Sequence, residues 1–108
     1  MYMILHLYKE QYLDDILMAL TETGVDDTVV IEGQTLGHKL IFDMPLFAGF
    51  RQSFGSRRGF AKIIMAIAEQ EQIDTFITEL KHSGVDMIKE EIANIVLLPI
   101  EKQYLFEE

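Results

Sequence analysis

Apolar positions along this chain follow two different periods, and the switches between them mark its elements. Residues 2–8, YMILHLY, are apolar almost throughout and read as a buried strand. Leu13, Ile16, Leu17 and Leu20 then recur at i, i+3, i+4 and i+7, the stripe of an amphipathic helix. Asp14 and Asp15 fall early in that helix, where its positive end favours them, and Gly24 supplies a stop. The β-branched run Thr28-Val29-Val30-Ile31 predicts a second strand, and residues 61–68 a third. Ile73, Phe76, Ile77 and Leu80 repeat the helical stripe, Gly84 the stop, and Ile95-Val96-Leu97-Leu98 form a last strand.

The second half repeats the first at a fixed offset of 60 residues: Leu13/Ile73, Ile16/Phe76, Leu17/Ile77, Leu20/Leu80, Gly24/Gly84, Val25/Val85 and Asp26/Asp86. The last strand comes six residues late, with Ile88 to Ile92 as the insertion. Two βαβ units in tandem, with right-handed crossovers, predict an α+β, ferredoxin-like split βαβ sandwich of order βαββαβ. It has a four-stranded antiparallel sheet with both helices on one face. At 108 residues this is a single domain, 1–108.

Such a fold leaves the second sheet face bare, and in a monomer that face should be polar. Here 3–7 is MILHL, 63–68 is IIMAIA and 95–98 is IVLL, so either parity turns four or five large aliphatic side chains away from the helices. Leaving them exposed loses roughly 6–15 kcal/mol, comparable to a whole domain's stability of about 5–15 kcal/mol. A closed oligomer of identical copies is the economical cover.

The stretch from Gly33 to Phe60 departs from all of this. It holds five of the seven glycines, five of the seven phenylalanines and all three arginines, and its net charge is +3 inside a chain of −9. Long connections without structure of their own are uncommon and usually functional or disordered, and this one is too rich in phenylalanine for a solvated linker. Its apolar block, with Phe47 and Phe50, is followed by Arg51, Arg57 and Arg58, the residue types enriched at interface hot spots. Folding back over its own oligomer is the plain alternative to partner docking. The arginines also suit recognition of an anionic ligand through paired N–H donors.

The overall charge excludes general binding to nucleic acid or anionic membrane. The chain has no cysteine, hence no disulfide, thiolate metal site or thiol nucleophile. No signal peptide or spanning segment is expected, which points to a soluble cytoplasmic protein.

The run Leu13-Asp14-Asp15, Ala19-Leu20, Glu22, Gly24, Val30, Glu32 and Gly37, with Lys62-Ile63, Ile73-Asp74-Thr75 and Ile95 to Glu101, resembles the PII nitrogen-regulatory proteins over nearly the whole chain. The resemblance implies a homotrimer whose sheets line a central core. It also implies effector sites in the inter-subunit clefts, near Thr35, Leu36, Gly37, His38 and Ala66. Residues about 38–59 would be the T-loop, the arm that docks on a regulated transporter or enzyme. Three motifs of the family are altered. Thr35-Leu36-Gly37 stands for Gly-Phe-Gly, Glu91-Ile92-Ala93-Asn94 for the phosphate-wrapping Gly-Asp-Gly-Lys, and Leu105 and Glu107 lie near the terminal arginines. Nor does 33–60 contain the tyrosine often modified in the T-loop. These changes argue against ordinary ATP or 2-oxoglutarate binding and leave the cofactor undefined.

Other chemistry has thinner support. Arg58-Gly59-Phe60-Ala61 opens like the RNP1 signature of RNA-recognition motifs, but Lys62 and Met65 stand where aromatic residues belong. His6, His38 and His82 have no metal-ligand spacing. His6 reads as core or interface and His82 as a partner for its helix's negative end. Ser53, Ser56 and Ser83 sit in no nucleophile motif, so no enzyme is predicted. The expected function is a PII-like regulator that binds a small effector and docks through its loop. The alternative is a trimeric binding protein of the same fold that takes a small anion or metal without signalling.

Overall fold

A computed structural model describes residues 1–25, 27–36 and 60–107, of Phe60 the backbone alone. Strand β1 (Tyr2–Leu7) leads through a short 3-10 turn (Glu10–Tyr12) into α1 (Leu13–Glu22), then β2 (Thr28–Gln34). The second unit is β3 (Phe60–Ile67), α2 (Gln70–His82) and β4 (Ala93–Leu98). The strands lie in the order β2-β3-β1-β4, every neighbouring pair antiparallel. Each βαβ unit thus has a strand of the other unit between its own two, the interleaving of a ferredoxin-like fold. Among the described residues no helix is long and apolar enough to cross a membrane.

Side-chain parity decides what the helices cover. Met3, Leu5 and Leu7 of β1 and Ile64 and Ala66 of β3 share one face and are buried against Ile16, Ala19 and Leu20 of α1 and Ile73, Phe76 and Leu80 of α2. Residues 60 apart take equivalent places. Ile16 and Phe76 are both fully buried, Leu20 and Leu80 nearly so, and Val25 and Val85 close the two helix ends. Both helices end in the same Schellman turn. Val25 N–H donates to the Leu20 carbonyl at 2.9 Å and Gly24 N–H to that of Thr21 at 3.1 Å. In the repeat, Val85 N–H donates to Leu80 at 2.8 Å and Gly84 N–H to Lys81 at 3.0 Å. The turn needs a left-handed residue, and Gly24 and Gly84 supply it with φ of 85° and 87°.

One side chain joins the two units. At the start of α2, Gln72 Oε1 accepts from the Glu69 backbone N–H at 2.9 Å, half of a capping box. Its Nε2 donates to the Thr23 carbonyl at the end of α1, 3.2 Å away. A Cβ added at Gly24 would lie 3.2 Å from that Nε2, whereas one at Gly84 would meet nothing within 4 Å. Gly84→Ala is therefore expected to cost about 1–2 kcal/mol, the left-handed penalty alone. Gly24→Ala should cost more, because the Gln72 bridge must also shift. Urea denaturation of both variants checks this; equal losses would show that the bridge contributes nothing.

Candidate functional site: the open sheet face and the base of the long connection

The face away from the helices carries Tyr2, Ile4 and His6 of β1, Val29 and Ile31 of β2, Ala61, Ile63, Met65 and Ile67 of β3, and Asn94, Val96 and Leu98 of β4, aligned by the ladder pairings. Nine of these are large and apolar. Val29, Ile31, Val96 and Leu98 are 53, 43, 49 and 46% exposed, and the inner ones are half-buried by their neighbours. The only charged residues in the four strands, Glu32 and Lys62, both take the opposite parity. The face is thus without a formal charge over roughly 19 Å by 20 Å, from four strands about 4.8 Å apart and six residues of about 3.3 Å. Its polar groups are few. Tyr2 Oη donates to Met65 Sδ at 3.2 Å, and the His6 ring stands edge-on to Tyr8 with centroids 6.5 Å apart.

Acidic side chains collect on the other layer. Asp14, Asp15 and Glu22 of α1 and Glu71, Asp74 and Glu79 of α2 are all exposed. Four of them, Asp14, Asp15, Glu22 and Glu79, line a groove of about 340 Å³ between the helices. Among the described residues no three His, Cys, Asp or Glu side chains come together to hold a metal ion.

The long connection leaves and returns at one place. Gln34 and Phe60 are paired across β2 and β3, so everything between them springs from the end of a single ladder. Of the predicted site residues, Gly37, His38, Phe47, Phe50, Arg51, Arg57 and Arg58 lie outside the described residues, as do Ser53 and Ser56. Leu36 is 72% exposed at the foot of the connection, beside half-buried Thr35. Ala66 is 2% exposed in the core beneath the helices. His6 sits on the open face, and His82 is exposed in the last turn of α2, so these two do not meet.

Lys62, noted from sequence in the resemblance and in the failed RNP1 match, stands at the base of the connection. It pairs across the ladder with Glu32, and its Nζ lies 3.7 Å from Glu32 Oε1 and 3.9 Å from Glu10 Oε1. Its side chain is only 15% exposed while the two carboxylates are largely in solvent. The aliphatic stem is packed and the charge is shared at the surface.

The turn before β4 is closed by its own hydrogen bonds. Glu90 N–H donates to the Asp86 carbonyl at 3.0 Å, Ile92 and Ala93 N–H to that of Met87 at 2.8 and 3.3 Å, and Glu91 N–H to Ile88 at 3.3 Å. Lys89 N–H is held by Asp86 Oδ1 at 3.2 Å. Glu91 adopts a left-handed φ of 56°. An anion there would have to displace the hydrogen bonds that form the turn and approach a carboxylate.

The chain matches no protein-family model, and no curated protein matches it at a significant level.

Lys62 separates packing from charge. Lys62→Met keeps the stem and should change stability by no more than about 0.5 kcal/mol, since exposed ion pairs contribute about 0–1 kcal/mol. Lys62→Ala should lose about 1 kcal/mol or more through the stem. Denaturant titration of the two variants decides it, and a larger loss for Met would make the charge the dominant contribution.

Proposed function

We propose that this protein is a homo-oligomeric, PII-like regulatory module that binds a small effector between copies and docks on a partner protein through residues 38–59. The observation that carries this reading is the open sheet face: nine large apolar side chains and no formal charge, opposite a core that is already complete. A second observation supports the arm. The connection carries three arginines and a phenylalanine-rich block, and both its ends are fixed to one ladder of the sheet that the copies share.

Copies meet through their open faces, and the resemblance sets their number at three. Thr35 and Leu36 then lie at the edge of a cleft between subunits, at the foot of the arm. An effector in that cleft selects one arm conformation with a different affinity for the partner. The N–H groups of residues 89–93 are engaged internally, so this effector is not held by the family's usual phosphate loop.

Size-exclusion chromatography with light scattering tests the assembly. The protein should run as an oligomer at micromolar concentration, and Ile63→Lys or Val96→Lys should dissociate it. Val30→Lys, on the opposite parity of an edge strand, should not. A folded monomer from the unmodified chain would end the proposal. Arg57→Glu with Arg58→Glu should leave the oligomer intact and abolish effector or partner capture, read by a thermal-shift screen and by effector-dependent protease protection of the connection. Loss of the oligomer instead would make both arginines structural. Stoichiometric binding of an anion or metal with no change in protection would favour the non-signalling alternative.

A further inference from the structure

Strand β4 is an edge of the sheet: among the described residues no strand lies beyond it, and β1 is its one neighbour. Exposed edges are templates for another strand and are normally blunted by charge, proline or a cover. The sequence of β4, ANIVLL, has neither charge nor proline. On its helix side it borders a groove of about 290 Å³ lined by Ile77, Met87, Ile88, Ile95 and Leu97, with Lys81 and Asp86 at the rim. Ile88, at 60% exposure, opens this groove to solvent.

The residues after β4 fit that edge but do not occupy it on their own chain. Pro99, which has no N–H, interrupts the ladder. Residues 102–107 form neither helix nor strand, and Tyr104, Leu105 and Phe106 are 84, 59 and 101% exposed. Three large apolar side chains in sequence, mostly exposed, with the Lys102 ammonium over the Tyr104 ring at 5.1 Å, have the same energetic problem as the open face. Their spacing solves it in one way. In an extended chain Tyr104 and Phe106 point to one side and Leu105 to the other. Five residues, 103–107, span about 17 Å, close to the roughly 20 Å of six-residue β4. Lys102 and Glu107 flank the apolar triplet, and the groove rim offers one residue of each sign, Asp86 and Lys81.

We infer that residues 103–107 of one copy add as a strand to the β4 edge of a second copy. Tyr104 and Phe106 enter the groove between α2 and β4, and Leu105 extends the open face beside Val96 and Leu98. This is strand addition, in which main-chain hydrogen bonds give affinity and alternate side chains give specificity. It deepens the proposed self-assembly, which needs such a contribution. Burial of the open face is opposed by the translational and rotational freedom lost on association, so added edge contacts shift the balance towards the oligomer.

The absence of native cysteine makes a cross-linking test clean. Chains carrying Glu107→Cys alone and Lys89→Cys alone, distinguished by mass, are mixed, allowed to exchange and treated with a short bismaleimide. A mixed dimer joining the two cysteines is the expected product, and Tyr104→Ser with Phe106→Ser should remove it and weaken self-association at least tenfold. Cross-linking only within a chain that carries both cysteines would mean that the segment folds onto its own groove and would overturn the inference. So would no cross-link at all. An oligomer by light scattering without the mixed product sinks the strand exchange and leaves the sheet-face assembly standing. A mixed product together with an oligomer that survives both Ile63→Lys and Val96→Lys does the reverse.

Discussion

The character of the sheet's two faces follows from where two charges are placed. The strands contain a single glutamate and a single lysine, Glu32 and Lys62, and both project to the helix side at the sheet's end. The opposite face is left with alternating aliphatic positions and nothing to hold water strongly. A sheet whose second face faces solvent normally alternates apolar with polar. Here the alternation is between two apolar sets: Met3, Leu5 and Leu7 against Tyr2, Ile4 and His6, or Ile64 and Ala66 against Ile63, Met65 and Ile67. The helices can cover only one set.

The duplication explains how so small a chain spares its second face from the core. Each half brings one helix, and the pairs Ile16/Phe76, Leu20/Leu80 and Val25/Val85 fill matching positions over the same sheet surface. The halves also end their helices identically, so both crossovers drop their following strand at the correct level. Gln72 fastens the beginning of the second helix to the end of the first, bonding to Glu69 within its own cap and to Thr23 across the joint. The core is therefore complete without any help from the open face, which can be assigned to association without loss of the fold.

Most of this arrangement was legible in the sequence, because periodicity and spacing report on local physics. The helical stripes, both glycine stops, the offset of 60 and the four apolar runs gave the elements, their order and the unprotected face. Boundaries moved by a few residues: β2 runs to Gln34 rather than Ile31, and β4 begins at Ala93 rather than Ile95. These extensions come from ladder pairing with β3 and β1, which a single strand's composition does not reveal. The turn before β4 was read only as an insertion. Its closed set of hydrogen bonds depends on a left-handed glutamate, and no residue preference predicts that. The groove beside β4 was equally invisible, since Ile77, Met87, Ile88 and Ile95 come from three elements. Of the candidate site, Thr35 and Leu36 lie at the foot of the connection and Ala66 lies in the core beneath the helices; the arginines and Phe47 and Phe50 lie outside the described residues.

Charge then limits how copies meet. At a net −9, two molecules repel unless their acids stay apart. The helix layer carries Asp14, Asp15, Glu22, Glu71, Asp74 and Glu79 on its outer side, so contact there would bring like charges together. Sheet-to-sheet contact does the opposite. With layers spaced about 10 Å, the two helix layers' axes end roughly 30 Å apart, several times the screening length of about 8 Å at physiological ionic strength. The β4 edge lies between these extremes, and the segment proposed to fill it carries a single charge, Glu107, with Lys102 just ahead of it. In the proposed assembly, acidity on one layer and neutrality on the other act together: the first disfavours contact through the helices and the second favours contact through the sheet.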